Sequence, residues 1–311
     1  MCIIADSVKD VSKTKIASFH VSYTYDGRIF TLAQLVVYAA NVDSMTNTNA
    51  FILPVYNPGN NLKNIIPLDL SNVPEFFDDV KEIFNKWDDT YERPLGIIND
   101  SFGSLLDVYR VGNYKFSMMP SKKDFSRIDK KYLNINPMAK ISIDVHSDDY
   151  SFIVFQFFQK GKLEITPFGY LCKPYKDYAM IIPTIHGHPH NDLVDPFYDS
   201  SYSSLYAPFQ PLNTNHRSSF EQSSFENSAN FDHDVYSLVR NLTNKNITTQ
   251  RDIEDISVLL KKINKDYMNK NIKIYPPKSF IPTKISIKGY YKNRNLLINT
   301  NKYSFIEDLI F

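Results

Sequence analysis

Three groups of residues have the types and spacing to do chemistry. The first is the amino terminus, where Cys2 follows Met1. Removing an initiator Met before a small side chain would leave the thiol and the α-amine of Cys2 on one residue. That amine, with a pKa of roughly 7.7, can take the thiol proton. This is the arrangement of an N-terminal nucleophile that hydrolyses amide bonds. His186 or His188 would then polarise the substrate or act as general base. The alternative is that Cys2 is simply a small apolar residue opening a strand over 2–5.

The second group is His186-Gly187-His188-Pro189-His190, together with Asp232-His233. Alternate residues of a strand face the same way. Imidazoles so placed, with a carboxylate, suit Zn or Fe, and the ligand set would be His186, His188, Asp232 and His233. Pro189 works against a regular strand there, and histidines of this kind also serve as solvent-facing or hydrogen-bonded side chains. The third group is basic. Residues 241–311 carry 13 Lys and Arg against 6 Asp and Glu, a net of +7, and between 268 and 306 there are eight basic residues and no acidic one. Lys284, Lys288, Lys292 and Arg294 are interleaved with Tyr275, Phe280, Tyr290 and Tyr291. Cations alternating with aromatic faces fit single-stranded nucleic acid. They equally describe a lysine-rich face that docks on an acidic body, since residues 1–240 carry a net of −6.

The elements that must position these residues are mostly strands. Residues 16–25 alternate loosely and end at Tyr25-Asp26-Gly27-Arg28, whose central Asp-Gly predicts a tight hairpin. Apolar runs at 32–42, 50–55, 65–70, 105–110, 114–119, 141–145, 150–158, 162–171, 180–185 and 231–240 read as further strands. Pro67 places the run at 65–70 on a sheet edge. Gly112-Asn113 and Lys160-Gly161 predict two more hairpins, and 284–291 with 296–299 a closing one. A helix is expected near 72–87: Phe76, Phe77, Val80, Phe84 and Trp87 form one apolar face, and acidic residues crowd its start. A second is expected near 249–269, capped by Thr248 or Thr249, with Ile253, Ile256, Leu259, Leu260, Ile263 and Tyr267 as its stripe. A short helix or turn is expected over 121–133.

Segment 195–230 differs. It holds nine Ser, four Phe and three Tyr with no Lys, has no usable period, and reads as a flexible insert. The fold class is therefore α+β, predominantly antiparallel. The organisation is a β-rich globular domain over 1–240 followed by a basic extension over 241–311.

Composition narrows the function classes. The chain has 311 residues, 43% hydrophobic and 22% charged, enough to build a substantial core. Two cysteines make no disulfide framework and suit a reducing compartment. No apolar run reaches 18 residues and none follows a basic leader, so neither a membrane span nor a signal peptide is expected. A cytoplasmic protein, or a virion protein if viral, is the expected setting. Nine glycines and no phosphate-loop or dinucleotide fingerprint argue against a nucleotide cradle. The abundance of Asn, Ile, Lys and Tyr reports AT-rich coding, as in some protists and giant DNA viruses.

Several stretches resemble a family, found mainly in bacteria, whose members open with Met-Cys. The resemblance is carried by Val11-Ser12-Lys13-Thr14-Lys15-Ile16, Gln34-Leu35-Val36-Val37-Tyr38, Ala50-Phe51-Ile52-Leu53-Pro54-Val55, Asp124-Phe125-Ser126-Arg127-Ile128-Asp129, Pro183-Thr184-Ile185-His186-Gly187-His188 and Phe231-Asp232-His233-Asp234-Val235-Tyr236, in order over 1–240. It implies a shared fold and assigns no activity. It matches Cys2, His186, His188, Asp232 and His233 to recurring positions. The chain departs from the pattern at Thr166, where the family has His, in the long 195–230 segment, and in the basic tail. Three functions are consistent with the sequence: a structural or interaction component such as a virion or assembly protein, an N-terminal-nucleophile amide hydrolase, and a His-cluster metal protein. Protein partners are open to it, as is nucleic acid through the tail.

Overall fold

The computed structural model describes residues 3–70, 73–87, 108–111, 114–128, 133–176, 178–184, 228–240, 248–263, 272–292 and 296–299. In chain order they form β1 (Ile3–Ile4), β2 (Val8–Tyr25), β3 (Arg28–Ser44), β4 (Asn49–Tyr56), β5 (Ile66–Asp69), α1 (Phe76–Trp87), β6 (Val108–Val111), β7 (Tyr114–Met119), α2 (Pro137–Asp144), β8 (Tyr150–Phe157), β9 (Gly161–Cys172), β10 (Ala179–Ile182), β11 (Ser228–Arg240), α3 (Gln250–Ile263), β12 (Lys273–Tyr275), β13 (Phe280–Lys292) and β14 (Leu296–Asn299). The class is α+β and mainly antiparallel, as the pattern predicts.

Two sheets dominate. One has the order β1-β4-β8-β7-β6; the other runs β13-β11-β2-β3-β9-β5, with β12 also paired to β2. Strands β10 and β14 form a separate pair. Alternation of side chains decides which face each sheet buries. Val36, Tyr38, Ala40 and Val42 of β3 meet Phe51, Leu53, Ile153 and Phe155 of the smaller sheet in the central core. The intervening Leu35, Val37 and Ala39 face the other way, onto α1 and α3. Ala50, Ile52, Phe152 and Val154 on the outer face of the smaller sheet pack on Ala139 and Ile143 of α2. Both sheets are thus covered on both faces, which is why their strands read as continuous apolar runs.

The helices follow from local chemistry. Phe76, Phe77, Val80, Ile83, Phe84 and Trp87 make the buried stripe of α1. Thr249 opens α3 in a capping box: its backbone N–H donates to Asp252 Oδ2 at 2.7 Å, and the Asp252 N–H donates to Thr249 Oγ1 at 3.2 Å. Lys262 Nζ ties the two helices together, 2.5 Å from Asp79 Oδ2. A helical turn also occupies Lys122–Arg127.

Four local expectations are corrected. Residues 141–145, expected as a strand, fall largely within α2. Asn136 caps that helix by accepting the Ala139 N–H at 2.8 Å, and Pro137 opens its first turn; a five-residue apolar run cannot by itself distinguish strand from helix. Lys160-Gly161 does not join a hairpin. It crosses between layers, because β8 pairs with β4 and β7 whereas β9 pairs with β3 and β5. The expected closing hairpin is likewise split, with β13 on β11 and β14 on β10. Strand β11 begins at Ser228, just inside the segment expected to be an insert.

Candidate functional site

The longest ladder, β2 with β3, runs from Val8 opposite Ser44 to Tyr25 opposite Arg28. Its turn is Asp26-Gly27, with φ of 46° and 75°. Both values suit a type I′ turn, which matches the twist of the flanking strands. A bulge between Val21 and Tyr23 lets Ser22 oppose two residues of β3 and increases the local twist. Past that bulge, residues 26–31 are exposed throughout.

This end of the ladder carries apolar side chains into solvent. Ile29 is 74% exposed and Phe30 37%. Phe30 lies flat on Tyr23, with ring centroids 4.5 Å apart and planes 3° from parallel. On the other side of β2, Lys273, Ile274 and Tyr275 of β12 pair with Thr24, Tyr23 and Ser22, and Tyr275 is 43% exposed. The result is a three-stranded ribbon, anchored by buried Ile274 and tipped by Ile29, Phe30 and Tyr275. Among the described residues, 28–33 of β3 pair with β2 alone, because the ladder with β9 begins at Gln34 opposite Cys172. Sequence pattern alone missed this site. The signal was the adjacent pair Ile29-Phe30 directly after a tight turn, which forces one apolar side chain onto each face of the ribbon.

The buried titratable groups serve packing. His20 is fully buried; its Nδ1 accepts the Arg240 N–H at 3.0 Å. Burial and the nearby Arg240 charge pull its pKa down to about 3, against a smaller opposing pull from the Ala179 carbonyl. Beside it, Gln34 Nε2 donates to Ser18 Oγ at 2.8 Å and to the Ile181 carbonyl at 2.6 Å, clipping β10 to the large sheet. Cys172, opposite Gln34, is buried, and its thiol is pushed up to about 12 by desolvation. A thiol so held is not a nucleophile at neutral pH. His146 is pulled down to about 4, chiefly by burial, while its Nδ1 sits 2.9 Å from the Ser142 carbonyl. Its ring packs edge-on against Tyr150 and Phe152.

Of the residues singled out in the sequence, Cys2, His186, His188 and Arg294 lie outside the described residues, as does most of 195–230. Residues Ile3–Ile4 do form a buried strand, paired with Phe51 and Ile52. Asp232 and His233 fall on β11, with His233 in register with Thr14 of β2 and Ile287 of β13. Lys284, Lys288 and Lys292 all fall on β13. The Lys284 ammonium donates to Asn85 Oδ1 of α1 at 3.0 Å. Among the described residues no group of three or more His, Cys, Asp or Glu is placed to hold a metal, and no helix is long and apolar enough to cross a membrane.

No protein-family model matches the chain. Among solved structures, a mutated baculovirus P35 after caspase cleavage matches with a TM-score of 0.43 at 12% identity, covering 94% of this chain and 100% of that one. The P35 structure itself gives 0.40 at 11%, over 94% and 97%. A chain of the caspase-8/P35 complex gives 0.40 at 13%, over 94% and 97%. A TM-score below 0.5 falls short of a shared fold.

Proposed function

We propose that this chain is an interaction protein that engages a protein partner through the β12-β2-β3 ribbon, in the role of a virion or assembly component. The observation that carries the reading is the placement of Ile29, Phe30 and Tyr275 at the solvent-exposed end of a ladder whose middle, Ile16–Val21 against Ala33–Tyr38, is buried. Exposed aromatic and large aliphatic side chains on a rigid element are what an interface core needs. The ribbon is rigid because Ile274 anchors β12 in the core and Phe30 stacks on Tyr23. In this reading the Ser/Phe/Tyr segment 195–230 and the lysine-rich tail supply additional contacts.

The test places a photo-crosslinking amino acid at position 29 and, in a second protein, at position 254 on the exposed face of α3. Each is expressed in the cells that naturally make the protein. A discrete adduct, found from position 29 and absent from position 254, is the expected outcome. Equal patterns from both positions, or none from either, overturn the reading.

A further inference from the structure

The interaction reading says where a partner binds; the backbone of β3 says how. Because Tyr25 and Arg28 close a two-residue hairpin, they form a hydrogen-bonded pair. The next pair, Thr24 with Ile29, is then non-hydrogen-bonded. The N–H and C=O of Ile29 therefore point away from β2. Among the described residues no strand pairs on that side of 28–33. Among the described residues this is a strand edge whose outward main-chain groups meet no partner strand, with apolar side chains above and below it, Phe30 on the Tyr23 face and Ile29 on the opposite face.

Proteins normally blunt such edges with proline, lysine or short length. Other outer strands here follow that practice. β5 carries Pro67, β12 has three residues and runs into Pro276-Pro277, and β13 carries Pro282 and three lysines. The run Ile29-Phe30-Thr31-Leu32 holds no charge and no proline. Its ends are cationic. Arg28 starts it, and exposed Lys173 is the first residue past Cys172, where β9 stops flanking β3. Asp26, in the turn, is an acidic residue close to Arg28 in the chain.

We infer that the open edge of β3 accepts an extended peptide strand by main-chain pairing, and that the strand carries acidic residues flanking a β-branched or aromatic centre. This rests on the interaction reading above and adds its mode and chemistry. Strand addition draws affinity from backbone hydrogen bonds and specificity from alternate side chains. The charges select against a second copy of this chain. An antiparallel self-pairing centred between Phe30 and Thr31 brings Arg28 of each copy toward Ala33 and Lys173 of the other, and like charges across an interface are penalised.

The experiment uses the full chain and two synthetic peptides of alternating Val and Thr, one ended by Asp and one by Lys. Binding is followed by titration and by amide hydrogen exchange. The Asp-ended peptide is expected to bind about tenfold tighter at low salt, the sum of two exposed charge pairs, with the gap closing as salt is added. The Ile29 amide should gain protection on binding. The double variant Arg28→Glu/Lys173→Glu should reverse the preference while leaving the thermal midpoint in place, and Ile29→Lys should abolish binding by either peptide. Binding without Ile29 protection, equal affinity for the two peptides, or dimerisation of the chain through this edge overturns the inference. If position 29 still crosslinks a partner in cells while the peptides show no strand pairing, the interaction reading stands and the mode fails. Loss of both removes the two together.

Discussion

At the scale of single residues, the buried histidines tie stability to pH. His20 and His146 are neutral in the fold, with pKa values near 3 and 4 against 6.5 for the free side chain. An unfolded chain therefore takes up protons between about pH 6.5 and 4 that the native state refuses. Stability from each is intact above pH 6.5 and falls by up to about 1.4 kcal/mol per pH unit below it. Denaturant midpoints measured from pH 7.5 to 4.5 should show this loss, and His20→Gln should flatten part of it relative to the parent chain. Gly169 is a second sensitive residue. A Cβ there would lie 2.6 Å from the Val36 carbonyl oxygen, which is backbone and cannot yield. Gly169→Ala should cost about 1–3 kcal/mol by calorimetry or urea titration, although it sits inside a strand where alanine is otherwise the better residue.

At the scale of elements, legibility tracked how many local signals agreed. The helix α1 and the β2-β3 hairpin were readable because periodicity, acidic residues or turn chemistry pointed the same way. Residues 141–145 are a counter-example: a short apolar run suits strand and helix equally, and the helix signal, Asn136-Pro137, lies several residues upstream of it. Lys160-Gly161 was misread because glycine marks a change of direction without saying which sheet the chain enters next. Among the candidate site residues, the sequence could rank chemistry by type but not assemble it: Asp232 and His233 share a strand with Lys288 and Ile287 as ladder partners, information that exists only after pairing. The ribbon depends on its turn. Gly27 has φ of 75°, so Gly27→Val should destabilise the chain by about 1–2 kcal/mol, read as a lowered thermal midpoint.

At the scale of the whole molecule, the C-terminal residues are joined to the sheets by backbone ladders and apolar contacts. The C-terminal seventy residues supply β12 against β2 and β13 against β11, with β14 against β10. Phe280 packs on Trp87, and Ile274 and Phe280 join the same buried cluster as Phe19 and Leu35. Ending the chain at residue 240 should therefore uncover β11 along its full length, from Ser228 to Arg240, and strip α3 from the large sheet. The expected outcome is loss of the cooperative unfolding transition together with aggregation, read by calorimetry and light scattering.

Strand β11 lies parallel to β2, with His233–Leu238 alongside Thr14–Phe19. The centre of the large sheet is thus a contact between segments about two hundred residues apart, a closure that slows folding. On a ribosome adding roughly 5–20 residues per second, β2 emerges and then waits on the order of ten to forty seconds for that neighbour to exist. During that interval β2 has an unoccupied flank along Thr14–Phe19, a stretch buried in the finished protein except at half-exposed Lys15, and chaperone demand in synthesis follows from topology rather than from any weakness of the finished fold.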